Sequence, residues 1–137
     1  MGDLSLIDYS LKPEEGNAVD QILKVLEENG DSEIDIITLG PLTNIATAIK
    51  KAPETMKKVN RLVCMASPGK AEGNVTPYAE FNVWQDAEAF DCVLNSPVSE
   101  ILLVGWSSCL GDAMLDEGDI HRIRNSGPLG KFLIDAN

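Results

Sequence analysis

The stretch IDIITLGPLTNIATAIKKAP, residues 34–53, decides the fold. Ile34 to Leu39 form a short, β-branched, largely apolar run of the kind expected of a parallel strand covered on both faces. Gly40-Pro41 breaks that strand, and Pro41 suits the first turn of a helix, where its missing N–H costs nothing. Beyond it Ile45, Ala48, Ile49 and Ala52 recur at helical spacing until Pro53. A strand that passes almost without a loop into an amphipathic helix predicts a crossover unit.

Upstream, PEEGNAVDQILKVLEENG from Pro13 to Gly30 sets Ala18, Ile22 and Leu26 on one face, with acids near its start and Asn29-Gly30 as a stop, and predicts a helix. Downstream, a helical turn around Glu54 to Lys58 leads to a second buried strand, Arg61 to Ala66. A long loop, GNVTPYAEFNVWQDAEAF at residues 73–90, follows that strand. Asp86 is placed to cap the helix AEAFDCVLN, Pro97 ends it, and Glu100 to Val104 supplies a third strand. The remainder predicts two short helices separated by Ser126-Gly127-Pro128, the last amphipathic through Leu129, Phe132 and Leu133. Helix and strand alternate, which predicts an α/β fold: a Rossmann-like parallel sheet with right-handed crossovers and helices on both faces. Ligands of such sheets gather at the carboxyl ends of the strands.

Composition narrows the function classes. At 137 residues the chain is expected to form a single domain, 1–137, and 44% hydrophobic content excludes a disordered acidic polymer. A formal net charge of -11 and a pI near 4.3 repel phosphate backbones and anionic lipid heads, so neither nucleic acid nor a membrane surface is the expected partner. Cys64, Cys92 and Cys109 are odd in number and not closely paired, which argues against a disulfide framework or a Cys-rich zinc site and for a reducing, cytoplasmic setting. No run approaches transmembrane length, and the opening MGDLSLIDYSLKPEEG lacks the basic start and apolar middle of a secretory signal. The sequon Asn74-Val75-Thr76 is therefore not expected to be glycosylated.

The loop carries the chemistry. Asn74 and Asn82 each offer a donor and an acceptor, and the Glu80 carboxylate accepts only, an inventory matching several hydroxyls of one sugar. Phe81 and Trp84 add apolar walls. The alternative is that these polar groups merely satisfy loop backbone. The motifs TLGPLTNIA (residues 38–46) and GNVTPYAEFNVWQDAEA (73–89) resemble those of the inosine-uridine-type nucleoside hydrolases, and IDAN near the end also looks familial. The resemblance covers most of the chain and implies the central part of that family's domain, incomplete relative to the full nucleoside hydrolase fold. It further implies that Asn74 and Glu80 hold the ribose 5'-hydroxyl, that Asn82 contacts the lower ribose hydroxyls, and that Phe81 and Met65 line the sugar pocket. Calcium is the implied cofactor, with the main-chain carbonyl of Leu39 as one ligand; such an ion takes oxygen ligands in flexible number. In the family the ion positions a water that an Asp deprotonates, and the water attacks the anomeric carbon as the N-glycosidic bond of a ribonucleoside breaks.

The family's DxDPGxDD stretch, which supplies metal ligands and general base, has no counterpart in residues 1–137. Asp112, Asp116, Glu117 and Asp119 lack its glycine placement and are expected to form a solvated helix start. His121 is followed by Arg122 where many members carry a His-Asp pair, and is expected to be a surface residue. Gly105-Trp106-Ser107-Ser108-Cys109-Leu110 departs from the Asp and Thr-His of many relatives. Cys109 has no partner base in sequence and is not expected to be a nucleophile. The catalytic residues are thus unassigned, and the chain by itself is expected to be inactive. Three readings follow: a segment of a nucleoside N-ribohydrolase, a non-catalytic nucleoside- or ribose-binding module, or a truncated structural fragment. A sheet lacking further strands leaves edges to cover, so homo-oligomers are expected.

Overall fold

A computed structural model describes residues 12, 13 and 15–136. The chain divides into two compact units, Gly16–Cys109 and a second that includes the segment from Leu110 onward.

In the first unit, α1 (Ala18–Glu28) begins later than the periodicity predicts, because Asn17 acts as its cap and accepts from the Asp20 N–H at 2.9 Å. Its last carbonyls are met by a distant lysine: Lys58 Nζ donates to Leu26 O at 2.6 Å and also to Asn29 O. β1 (Ile34–Thr38) then leads to α2 (Thr43–Lys51). Pro41 lies just outside α2 rather than in its first turn. The cap is Leu42, held by burial at 3% exposure, and its carbonyl accepts the Ala46 N–H at 2.9 Å. α3 (Pro53–Met56) precedes β2 (Val59–Met65), which starts at Val59 rather than Arg61. The stretch expected to be a continuous loop contains a helix, α4 (Phe81–Gln85), followed at once by α5 (Ala87–Leu94), with Asp86 as its cap as predicted. β3 (Ile101–Val104) and a 3-10 turn, Trp106–Cys109, complete the unit.

The three strands are parallel in the order β1-β2-β3, with Ile36, Leu62 and Ile101 in register, as are Thr38, Cys64 and Leu103. Two right-handed crossovers advancing in the same direction deliver their helices to the same side of a sheet. α2 and α5 accordingly touch each other, and α1 packs on α2. The core lies between these helices and the Leu62 face: Leu26, Ile45, Ile49, Met56, Leu62, Cys64 and Val93 are all buried. Full burial of a leucine such as Leu62 contributes about 1.5–3 kcal/mol. On the alternate face Ile37 is 68% and Leu102 49% exposed. The unit is an α/β parallel layer, incomplete as the sequence implied, since parallel sheets of this class are covered on both faces.

In the second unit, α6 (Glu117–Arg124) starts with a reciprocal box. Asp116 accepts from the Asp119 N–H at 2.7 Å, and Asp119 accepts from the Asp116 N–H at 3.1 Å. α7 (Pro128–Asp135) approaches α6 so closely that a Cβ on Gly130 would stand 2.1 Å from Ile123 O. Arg124 and Lys131 both pair with Asp135.

Candidate functional site

β2 ends at Met65, and the chain then turns through irregular structure before α4. That segment is folded tightly on itself. Gly73 N–H donates to Pro77 O at 3.0 Å, Val75 N–H to Ala79 O at 3.1 Å, and Thr76 Oγ1 accepts from the Ala79 N–H at 3.0 Å. Gly73 is required here, because a Cβ would lie 2.2 Å from Thr76 O.

The three polar residues singled out in the sequence converge on the first turn of α4. Asn74 Oδ1 accepts from the Phe81 N–H at 2.8 Å. Glu80 is the helix cap, its two carboxylate oxygens accepting from the N–H groups of Asn82 (2.9 Å) and Val83 (3.2 Å). Asn82 Nδ2 donates to Met65 O at 2.9 Å and lies 3.2 Å from the Met65 sulfur. Glu80 and Asn82 are buried, at 1% and 8% exposure, although carboxylates are seldom buried without partners.

Each group thus spends part of its bonding capacity on the backbone and keeps the rest. Asn74 retains its Nδ2 donors, Asn82 its Oδ1 acceptor, and each Glu80 oxygen a second lone pair. Asn74 is exposed, and among the described residues the one buried side-chain nitrogen or oxygen without a hydrogen-bond partner is Thr38 Oγ1, so the spare Asn82 oxygen is not sealed from solvent either. Phe81 and Trp84 stand beside them about half exposed. The result is a polar shelf with aromatic flanks at the carboxyl end of β2, exposed at Asn74 and buried at Glu80 and Asn82. The cavity of about 260 Å³ between α1 and β1, lined by Ile22, Val25, Leu26, Ile34 and Ile36, lies elsewhere and is almost wholly apolar.

Leu39 follows the end of β1, with its side chain 81% exposed. Next to it Thr38 Oγ1 has only the soft sulfur of Cys64 for company. Burial pushes the Cys64 thiol pKa up and the Thr38 hydroxyl pulls it partly back. Among the described residues no three His, Cys, Asp or Glu side chains are grouped so as to hold a metal. Leu39 alone does not make a calcium site, which needs six to eight oxygens.

Sequence reasoning missed α4 and a long-range contact. Thr43 Oγ1, in the first motif, donates to Asp86 Oδ2, in the second. That bond, then the Ala89 N–H, hold the Asp86 carboxyl below the usual carboxylate range. The only available signal was the presence of both residues in the two motifs. The acid cluster behaves as expected: Asp116 and Asp119 form the helix start described above. His121 is exposed on α6 and meets Asn125, and Cys109 is exposed at the end of its 3-10 turn. Ser107, near the departure from the familial pattern, accepts the Lys70 N–H at 3.2 Å.

A parallel α/β layer with a polar shelf at its strand ends defines a class of small-ligand proteins. The family is narrower: the chain matches the family model of inosine-uridine preferring nucleoside hydrolase over residues 1–136, and it belongs to that family. It is 39% identical over 137 residues to probable uridine nucleosidase 1 of Oryza sativa subsp. japonica, covering 98% of this chain and 41% of the relative. It is 34% identical over 123 residues to the pyrimidine-specific ribonucleoside hydrolase RihA of Salmonella typhi, covering 90% and 38%. Among solved structures, a plant nucleoside hydrolase superposes with a TM-score of 0.82 at 32% identity, covering 93% of this chain and 39% of that one. A purine-preferring ribonucleoside hydrolase from Gardnerella vaginalis also gives 0.82, at 30% identity, covering 94% and 40%. The chain therefore spans about two fifths of the length of these relatives.

Proposed function

We propose that this chain supplies the sugar-holding part of a ribonucleoside hydrolase. Asn74 and Glu80 hold the ribose 5'-hydroxyl, Asn82 takes the lower hydroxyls, and Met65 and Phe81 pack against the ring. The observation that carries this reading is the spare bonding capacity of Asn74, Glu80 and Asn82, converging on one helical turn at a strand end. The names borne by the relatives range over uridine, pyrimidine and purine preference, and ribose is what those substrates share. A shelf that recognises hydroxyls and not the base fits that range.

For the whole protein the reaction is hydrolysis of the N-glycosidic bond to ribose and free base. The general base is not among the residues of the shelf, so the chain alone binds without turnover. The Leu39 carbonyl is the one position we assign toward a calcium ion, and the remaining ligands would come from elsewhere. Three free thiols support a cytoplasmic setting, and no described helix is long and apolar enough to cross a membrane. The exposed Ile37 and Leu102 support self-association, which a strictly monomeric light-scattering mass would refute.

Calorimetry with inosine, uridine and free ribose, with and without calcium, tests the assignment. Millimolar binding of all three with little calcium dependence is expected. No binding at that concentration sinks the ribose assignment, and nucleoside turnover by the 137-residue chain contradicts the absence of a base.

A further inference from the structure

Besides the Phe81 N–H bond to nearby Asn74 Oδ1, two side-chain hydrogen bonds tie α4 and its caps to the strand and helix around them, from different sides. One is Asn82 Nδ2 to Met65 O, at the end of β2. The other is Thr43 Oγ1 to Asp86, which bridges 43 residues of sequence. Thr43 is the first residue of α2, and Asp86 both ends α4 and caps α5. The second Asp86 oxygen accepts the Ala89 N–H at 2.9 Å, so the carboxylate is fixed at both oxygens. β1 and β2 pair through Thr38 and Cys64, which closes a ring of contacts: β1, the Leu39 turn, Thr43, Asp86, α4, Asn82, Met65 and β2.

α4 has only five residues, with Glu80 as one cap and Asp86 as the other. So short a helix moves as a unit, and a shift at Asp86 is carried to the carboxylate and carboxamide at its opposite end. We propose that Thr43 is a positioning residue: through Asp86 its hydroxyl sets the distance between the Leu39 turn and the polar atoms of Glu80 and Asn82, and so tunes the affinity of the shelf without touching the sugar. The ligand in this proposal rests on the ribose reading, whereas the mechanical coupling does not. The competing account is a plain staple between α2 and α5, which would affect stability and nothing at the shelf.

The test uses the 15N-labelled full chain and its T43V, T43S and D86N variants. It records the backbone N–H signals of Phe81, Asn82 and Val83, the side-chain amide signals of Asn74 and Asn82, thermal melting, and titration with free ribose. In T43V the Asn82 and Val83 signals are expected to move although the Thr43 hydroxyl bonds to Asp86 and not to them, with T43S restoring them and ribose binding about fivefold weaker in T43V. A lowered melting temperature with those signals unmoved overturns the proposal, as does unchanged ribose affinity where the wild type binds. Should T43V fail to fold, D86N keeps one acceptor oxygen for the Ala89 N–H but puts an NH2 donor where Asp86 accepted from Thr43, which weakens that junction while Thr43 stays in place; a shift in the same signals supports the coupling and none overturns it. Shifted signals with no ribose binding by the wild type uphold the coupling and sink the ribose reading instead.

Discussion

Two acidic helix starts, one in each unit, use the same capping chemistry to different ends. At α6, Asp116 and Asp119 satisfy each other's backbone N–H groups, and Asp116 is exposed, so water meets whatever capacity remains. At α4, Glu80 accepts from two N–H groups but is 1% exposed, with two carboxamides beside it. Burying a carboxylate is costly unless its bonds are made, and a cap that water could serve does not need it. The difference teaches that burial and convergence, rather than the number of acids, set the two helix starts apart.

The largest expected effect tests that contrast directly. Glu80→Ala leaves the Asn82 and Val83 N–H groups without their acceptor in a buried setting, and should lower stability by about 2–3 kcal/mol in denaturant unfolding. Asp116→Ala should cost about 1 kcal/mol, the usual loss of an exposed cap. Equal losses would erase the distinction between the two helix starts.

The carboxamides extend the comparison at smaller scale. Asn82 and Asn125 each donate to a main-chain carbonyl, Met65 O at 2.9 Å and His121 O at 2.8 Å. Asn82 is buried and bridges to a strand, whereas Asn125 is exposed and bonds within its own helix end. Asn82→Ala should cost about 1–2 kcal/mol and also raise local hydrogen exchange at α4. Asn125→Ala should fall within about 0.5 kcal/mol of the wild type, as exposed substitutions usually do.

The same contrast explains what could be read from the chain. Strand and helix order were legible because apolar spacing changes period sharply, as at Leu39-Gly40-Pro41 and Asp86. The α4 helix was not, since five residues give too little periodicity, and the Glu80 that caps it is the residue the sugar argument had already claimed. Glu80, Asn74 and Asn82 were found as a group from residue chemistry and familial motifs, while their backbone partners depend on the tight turn around Gly73. The Thr43–Asp86 bond leaves no local pattern, because two polar residues far apart in sequence carry no spacing rule. Covered faces were overread at Ile37: a β-branched run reports strand propensity and says nothing of which neighbours are present to cover it.

Protonation sharpens the comparison by the smallest amounts. Asp86 and Asp135, one in each unit, both have carboxyl pKa values held below the ordinary value of about 3.9. A folded pKa below the unfolded one gives stability that is fully present above about pH 4 and is lost as pH falls through the folded value. The causes differ: the neutral Thr43 hydroxyl leads for Asp86, and the Lys131 ammonium, aided by Arg124, for Asp135. Salt screens an exposed ion pair far more than a hydrogen bond from a hydroxyl. Carboxyl titration by NMR should therefore show the Asp135 midpoint rising with added salt while Asp86 barely moves. Thr43→Val should raise the Asp86 midpoint and leave Asp135 where it was. An Asp86 midpoint that follows salt as Asp135 does would mean that charge, in the form of nearby Lys50, and not the hydroxyl, fixes the junction of α4 and α5.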